Sequence, residues 1–323
     1  MGKLIELKDV KTSFFTHLGE VQAVRGVSYS LNKGEALGIV GESGSGKSVS
    51  SMAVMDLLPK PPARIASKSS IRILGKEIIG LSKKEMNYVR GNTVSMIFQD
   101  PMTCLNPYRR IDAQMIEGLV FHKGISKKEA IKKCADMLEY VHIPDPLKRI
   151  SAYPHELSGG MRQRVMIAMA LTCDPKLIFA DEPTTALDVT VQAQIMKLFG
   201  SIQNNFDTSI VMISHDLGVI ATQSDYILVM YAGQMMEFGT PEDVLERTSH
   251  PYTIALKRSI PKLNPEVGKK QELKAIKGNP PNLMKLAVGC PFAPRCEHAT
   301  DQCLGRDIPI KKVGEGHFVR CIL

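Results

Sequence analysis

Up to about residue 35, polar and apolar residues alternate, as in Val24-Arg25-Gly26-Val27-Ser28-Tyr29-Ser30-Leu31. A period of two predicts antiparallel strands. The pattern then changes to short apolar runs bounded by polar residues: Leu37-Gly38-Ile39-Val40, Val94 to Phe98, Leu177 to Ala180, Ile210 to Ile213 and Tyr226 to Met230. Such runs predict buried parallel strands with helices between them. Pro61 and Pro62 predict an extended linker, and Ile71 to Leu74 reads as a further strand turning at Gly75. From about 105 to 170 the period becomes helical. Glu129 through Leu138 carries apolar residues at 3.6-residue spacing, and Ser126 with Glu129 predicts a capping box. Beyond about 255 periodicity fades, and Pro261, Pro265, Pro280, Pro281, Pro291, Pro294 and Pro309 mark an irregular tail. No internal repeat is visible.

Composition narrows the class. The 323 residues, 44% hydrophobic and 23% charged, suit a globular chain with more than one domain. No apolar run approaches the ~20 residues that span a bilayer. The opening Met1-Gly2-Lys3-Leu4-Ile5-Glu6-Leu7-Lys8-Asp9 is charged and alternating, unlike a signal peptide. Glu6 also breaks the myristoylation pattern that Gly2 would begin. These features predict a cytosolic chain that reaches a membrane only by docking to a partner. The net charge of +8 is spread over pairs such as Lys83-Lys84 and Lys132-Lys133 without a dense basic tract. It therefore predicts solvated surface and no nucleic-acid partner.

The strand ending at Val40 runs into Gly41, Glu42, Ser43, Gly44, Ser45, Gly46, Lys47, Ser48 and Val49, where a helix-compatible stretch begins. That context fits the phosphate loop G-x-x-x-x-G-K-[ST]. Its glycines let backbone N–H groups face phosphate oxygens, and the helix N-terminus adds partial positive charge. Lys47 then reaches the β- and γ-phosphates of ATP, and the Ser48 hydroxyl ligates Mg²⁺. Gln99, Asp181-Glu182 and His215 each follow an apolar run, and ligands of open α/β sheets bind outside the carboxyl ends of the strands. Asp181 is suited to hold Mg²⁺ directly or through water, and Glu182 to orient and deprotonate the attacking water. Gln99 can bond metal and water without adding charge, and His215 can contact the γ-phosphate. An aromatic platform for adenine is expected near the N-terminus; Phe14 is preferred to Phe15. Leu157-Ser158-Gly159-Gly160-Met161 opens a second helix, whose N-terminus is another anion site.

With these motifs the chain resembles the ATP-binding-cassette (ABC) ATPases, through the signature Leu157 to Gly160, the Asp188 loop and the switch His215. Further motifs resemble the oligopeptide/dipeptide permease branch, most like its D-type subunit. They are Gln99 to Pro107, Tyr153-Pro154-His155-Glu156, His250-Pro251-Tyr252-Thr253, Gly278-Asn279-Pro280-Pro281 and Cys290-Pro291-Phe292-Ala293-Pro294-Arg295-Cys296. Met161 stands where the general family usually has Gln, and Cys104 where Ser is common; neither removes a catalytic group. The resemblance implies an α/β P-loop NTPase cassette over 1–255. It would have a RecA-like core with a parallel sheet, an N-terminal antiparallel β subdomain and a helical signature subdomain near 105–170. A small irregular cysteine module would follow over 256–323. It implies ATP sandwiched head to tail between two cassettes, with Ser158 and Gly160 serving the other subunit's ATP. The implied partners are a paralogous ATPase in a heterodimer, two membrane-spanning permease subunits and an extracytoplasmic peptide-binding protein. The chain would then work at the cytoplasmic face of the membrane. An importer for nickel or another small solute, and a redox-sensing ATP-binding regulator, are the alternatives.

Seven cysteines in a chain of this kind do not suggest disulfides. Cys104, Cys134 and Cys173 read as small apolar residues. Cys290, Cys296, Cys303 and Cys321, spaced C-x₅-C-x₆-C-x₁₇-C, lie in a segment too poor in apolar residues to build its own core. A metal staple would explain its order. The spacing lacks the C-x₂-C pairs of common zinc sites. Four thiolates suit a [4Fe–4S] cluster, which the resembling permease tails also suggest, with zinc as the alternative. Nothing in the sequence places this segment near ATP.

Overall fold

The computed structural model describes residues 2–185, 187–259 and 276–323. Ala186 of the Asp188 loop, Pro261 and Pro265 lie outside the described residues. In chain order the strands are β1 (Lys3–Thr16), β2 (Gly19–Asn32), β3 (Ala36–Val40), β4 (Ala63–Ile65), β5 (Ser70–Ile73), β6 (Lys76–Glu77) and β7 (Val94–Ile97). There follow β8 (Leu177–Asp181), β9 (Ser209–Ser214), β10 (Tyr226–Tyr231), β11 (Gln234–Gly239), β12 (Lys311–Gly314) and β13 (His317–Val319). The chain forms two compact units. One holds the opening residues to Leu4, Asn32–Glu35 and Gly80–Met212; the other holds Ile5–Leu31, Ala36–Ile79 and Ile213–Leu323.

The second unit contains the antiparallel sheet expected from the opening alternation, ordered β2-β1-β5-β6. Residues after Pro62 do more than link: β4 pairs antiparallel with β1, Phe14 opposite Ala63. The same unit carries the strand order β12-β13-β11-β10-β3. Here β10 runs parallel to β3, and Leu37 to Val40 are fully buried, which accounts for their continuous apolar run. The tail is less separate than its prolines imply. β12 and β13 form a hairpin, and β13 pairs with β11, Phe238 opposite Phe318. The expected irregular tail is in part regular: its last strands extend the sheet that includes β3.

In the first unit β7 and β8 pair in parallel, with Val94 opposite Leu177 and Ile97 opposite Ala180. The helix Lys127–Tyr140 starts at the expected capping box, Ser126 Oγ accepting from Glu129 N–H. It buries Ala130, Cys134, Ala135, Met137 and Leu138. The helix Gly159–Leu171 is buried along most of its length. From it, Arg164 donates to Val141 O (2.7 Å) and Gln194 Oε1 (2.8 Å), tying three segments together. Among the described residues no helix is long and apolar enough to cross a membrane.

Candidate nucleotide site

The loop Gly41–Ser48 lies between β3 and the helix Lys47–Val54. Two glycines are required by contact. A Cβ on Gly46 (φ +98°) would lie 2.3 Å from Ala23 O, and one on Gly41 would lie 2.1 Å from Met230 O. No side chain caps this helix, so its leading end suits an anionic ligand. Lys47, 5% exposed, donates from Nζ to Gly41 O (2.7 Å) and Glu42 O (3.1 Å). The buried Ser45 Oγ has no hydrogen-bond partner. An orphaned hydroxyl inside a loop of this shape fits a phosphate ligand.

At the end of β8, Asp181 is buried and Glu182 stands in left-handed backbone, φ +44°. That conformation is strained for a non-glycine residue and is common at functional positions. Glu182 Oε2 accepts from the Gln99 side-chain amide (3.1 Å) and from the Thr185 hydroxyl (2.9 Å). The structure thus brings together Gln99 and Glu182, two of the residues singled out by sequence, and adds Thr185, which the sequence marks only as the start of the Asp188 loop. His215 is exposed just beyond β9. Its neighbour Asp216 caps the next helix, accepting from Gly218 N–H (2.8 Å) and Val219 N–H (3.2 Å).

Leu157 is buried, while Ser158 is exposed and caps the helix Gly159–Leu171, accepting from Met161 N–H (3.3 Å). A Cβ on Gly159 would meet nothing within 4 Å, so that face of the signature is open. Asp188 caps the helix Val189–Phe206, accepting from Val191 N–H (2.9 Å). Phe14 is half-buried against Ala53, Leu58 and Ala63. Phe15 is the more exposed ring, with the Arg64 guanidinium 5.1 Å from its centroid.

The largest surprise is at Glu42. Its carboxylate receives both arms of Arg295, Nη1 to Oε2 at 2.6 Å and Nη2 to Oε1 at 3.0 Å. The side-chain exposures are 6% for Arg295 and 24% for Glu42. The pairing with Glu42 holds the guanidinium pKa above its ordinary value. The Glu42 N–H donates to Tyr252 Oη (2.9 Å), which is itself buried. Arg295 belongs to the cysteine segment, so the structure supplies a link between that segment and the phosphate loop that the sequence did not. One signal was available: a glutamate inside a polyanion-binding loop calls for a counter-charge.

Cys290, Cys296, Cys303 and Cys321 all line one small cavity. The segment is ordered by local turns; Cys290 N–H, for example, donates to Cys303 O (2.8 Å). The expected metal centre finds no support in the geometry of these cysteines. Among the described residues no group of three or more His, Cys, Asp or Glu is arranged to hold a metal ion. Burial raises the thiol pKa of Cys290 and Cys296. Elsewhere Cys134 is core, its pKa pushed up to about 12 by burial, whereas Cys104 is exposed rather than apolar core.

Comparison with known proteins gives the family. Residues 24–185 match the ABC transporter family, and 236–303 match the oligopeptide/dipeptide transporter C-terminal region. The chain is 50% identical to the oligopeptide transport ATP-binding protein OppD of Salmonella typhimurium, over 98% of this chain and 93% of that one. It is 49% identical to the dipeptide transport ATP-binding protein DppD of Bacillus subtilis, over 100% and 95%. Among solved structures it resembles the ATP-binding cassette MJ0796 bound to ADP and Pi in a dimeric post-hydrolysis state. That match has a TM-score of 0.66 and 25% identity, covering 73% of this chain and 98% of the other. The chain belongs to the ABC transporter family, within its oligopeptide/dipeptide transporter branch.

Proposed function

We propose that this chain is the ATP-hydrolysing subunit of an importer for oligopeptides or dipeptides. It would work at the cytoplasmic face of the membrane with a second ATPase subunit, two membrane-spanning permease subunits and an extracytoplasmic peptide-binding protein. Its relatives are named for oligopeptide and dipeptide transport, which favours peptide over nickel and over a purely regulatory role. The observation that carries the hydrolytic assignment is Glu182, held by Gln99 and Thr185 in a backbone conformation that non-glycine residues rarely adopt.

In this reading the N–H groups of Gly44 to Ser48 and the Lys47 ammonium receive the ATP phosphates. Phe14 is the candidate adenine platform, with Val49 at the start of the helix below. Ser48, Gln99 and Asp181 would hold Mg²⁺, which neutralises phosphate charge when bound. Glu182 accepts the proton of the attacking water, and Gln99 fixes the carboxylate that does so. His215 contacts the γ-phosphate and reports its presence. Leu157 to Met161 and Asp188 serve the partner cassette's nucleotide, Ser158 and Gly159 offering an open helix end. The test is uptake of a labelled peptide into vesicles carrying the assembled transporter with ATP inside or outside. Wild-type chain should support uptake only when ATP is on its own side, and Lys47→Ala should abolish it. ATP-independent uptake would defeat the reading.

A [4Fe–4S] cluster on Cys290, Cys296, Cys303 and Cys321, or zinc in its place, is a second reading. What supports it is that all four cysteines line one cavity. Bound there, the group would hold the segment together. Broad absorbance near ~400 nm in anaerobically purified protein supports the cluster; colourless protein with stoichiometric zinc supports zinc, and metal-free protein neither.

A further inference from the structure

We infer that Arg295 is a positioning residue for ATP, clamping the phosphate loop through Glu42 and cancelling the charge of a carboxylate that would otherwise repel the nucleotide. The inference rests on the reading that Gly41–Ser48 binds ATP.

Glu42 is engaged at every polar group. Its N–H donates to Tyr252 Oη, its carbonyl accepts from Lys47 Nζ, and its carboxylate takes two hydrogen bonds from Arg295. Two-armed pairing of this kind fixes direction as well as charge. Arg295 is in turn fixed from several sides. Nε donates to Lys277 O (2.9 Å), Nη2 also donates to Ile276 O (3.3 Å), and Nη1 also donates to Tyr231 Oη (3.0 Å). The guanidinium carbon lies 5.7 Å from the Tyr231 ring centroid and 5.9 Å from that of Phe292. Tyr231 closes β10, whose Met230 carbonyl already abuts Gly41. Three hydrogen bonds and two aromatic faces therefore hold one largely buried cation whose other two hydrogen bonds go to the carboxylate of the phosphate loop.

The electrostatic consequence is specific. ATP brings several negative charges to this loop, and an unpaired Glu42 would oppose them in a partly desolvated setting where charge–charge terms exceed those in water. Arg295 removes that opposition while sitting behind the loop, so its effect falls on nucleotide affinity rather than on the chemical step. Lysine could keep the charge but not the two-armed geometry.

The experiment titrates full-length chains with trinitrophenyl-ATP and measures ATPase activity in the assembled transporter. Arg295→Gln should weaken binding about tenfold and raise KM for ATP in proportion, with kcat at saturating ATP held within about twofold. Arg295→Lys should recover binding to within about threefold of wild type. Adding Glu42→Gln to Arg295→Gln should also restore affinity to within about threefold, because the repelling charge is gone. A purely structural arginine would leave that double variant as weak as the single one or weaker. Wild-type affinity in Arg295→Gln, or no relief from Glu42→Gln, overturns the inference. Should Arg295→Gln fail to fold, Glu42→Gln alone decides it: nucleotide binding equal to or tighter than wild type agrees with a carboxylate that opposes ATP, and a loss of about tenfold overturns the inference. Lys47→Ala separates the two levels: if it binds like wild type, the phosphate-loop reading falls first, and if it alone weakens binding, only the role of Arg295 falls.

Discussion

Two carboxylates, one in the loop after β3 and one at the end of β8, show how neighbours set a role. Glu42 meets a guanidinium that takes both of its oxygens, whereas Glu182 accepts from an amide and a hydroxyl, both neutral donors. A carboxylate in a loop that must receive a polyanion needs its charge cancelled. A carboxylate proposed to take a proton from water needs orientation, which the Gln99 amide and the Thr185 hydroxyl supply to Glu182. The sequence spells both residues Glu; their partners suit the different roles proposed for them, scaffold for Glu42 and base for Glu182.

The harshest way to break the comparison is to deform the loop that carries Glu42. Gly46→Ala forces a Cβ to 2.3 Å from Ala23 O at φ +98°, and should cost about 3 kcal/mol or more in unfolding free energy. Gly44→Ala, with φ +77° but nothing within 4 Å, should cost only about 1–2 kcal/mol. Equal losses in denaturant titrations would show that close packing behind the loop is unimportant.

A pH titration probes the segment behind Glu42. His250 is buried, its Nδ1 accepts from Tyr252 N–H (3.0 Å), and burial pulls its pKa down to about 4. The folded state therefore binds fewer protons than the unfolded state between that value and the ordinary pKa of about 6.5. Stability should fall as pH drops through this window, by about 3 kcal/mol in total from this group. His250→Asn should flatten that part of the profile; an unchanged slope would assign it to other groups.

Smaller again is the roughly tenfold affinity loss expected for Arg295→Gln, which sharpens the contrast because the matching change at Glu182 should act on kcat instead. The smallest effect belongs far from either carboxylate. Ser126→Ala removes the cap on Lys127–Tyr140 and should cost about 1 kcal/mol by chemical denaturation, with ATP affinity unchanged. A shift in affinity there would mean the cap does more than start a helix.

What could be read along the chain followed the range of the interaction. The phosphate loop was legible because its glycines, Lys47 and Ser48 act within a few residues of one another. The capping box at Ser126 was legible for the same reason. β4 was obscured by Pro61 and Pro62, and β11 by the absence of a clean period; both take their form from partners in other strands. Arg295 and Glu42 lie 253 residues apart, and no local pattern joins them. The cysteines were legible only in part. Their convergence on one cavity was foreseeable from their crowding, but whether thiols sharing a cavity bind a metal depends on angles and protonation that spacing does not encode.

The measurement that bears most directly on the assignment of the base is ATP turnover by the assembled transporter carrying Glu182→Gln, with light scattering to follow cassette association. Hydrolysis should fall by about a thousandfold while ATP still draws the two cassettes into a stable dimer, because binding rests on the loop and the chemistry on Glu182. Wild-type turnover in that variant, or no ATP-dependent association, would contradict the account.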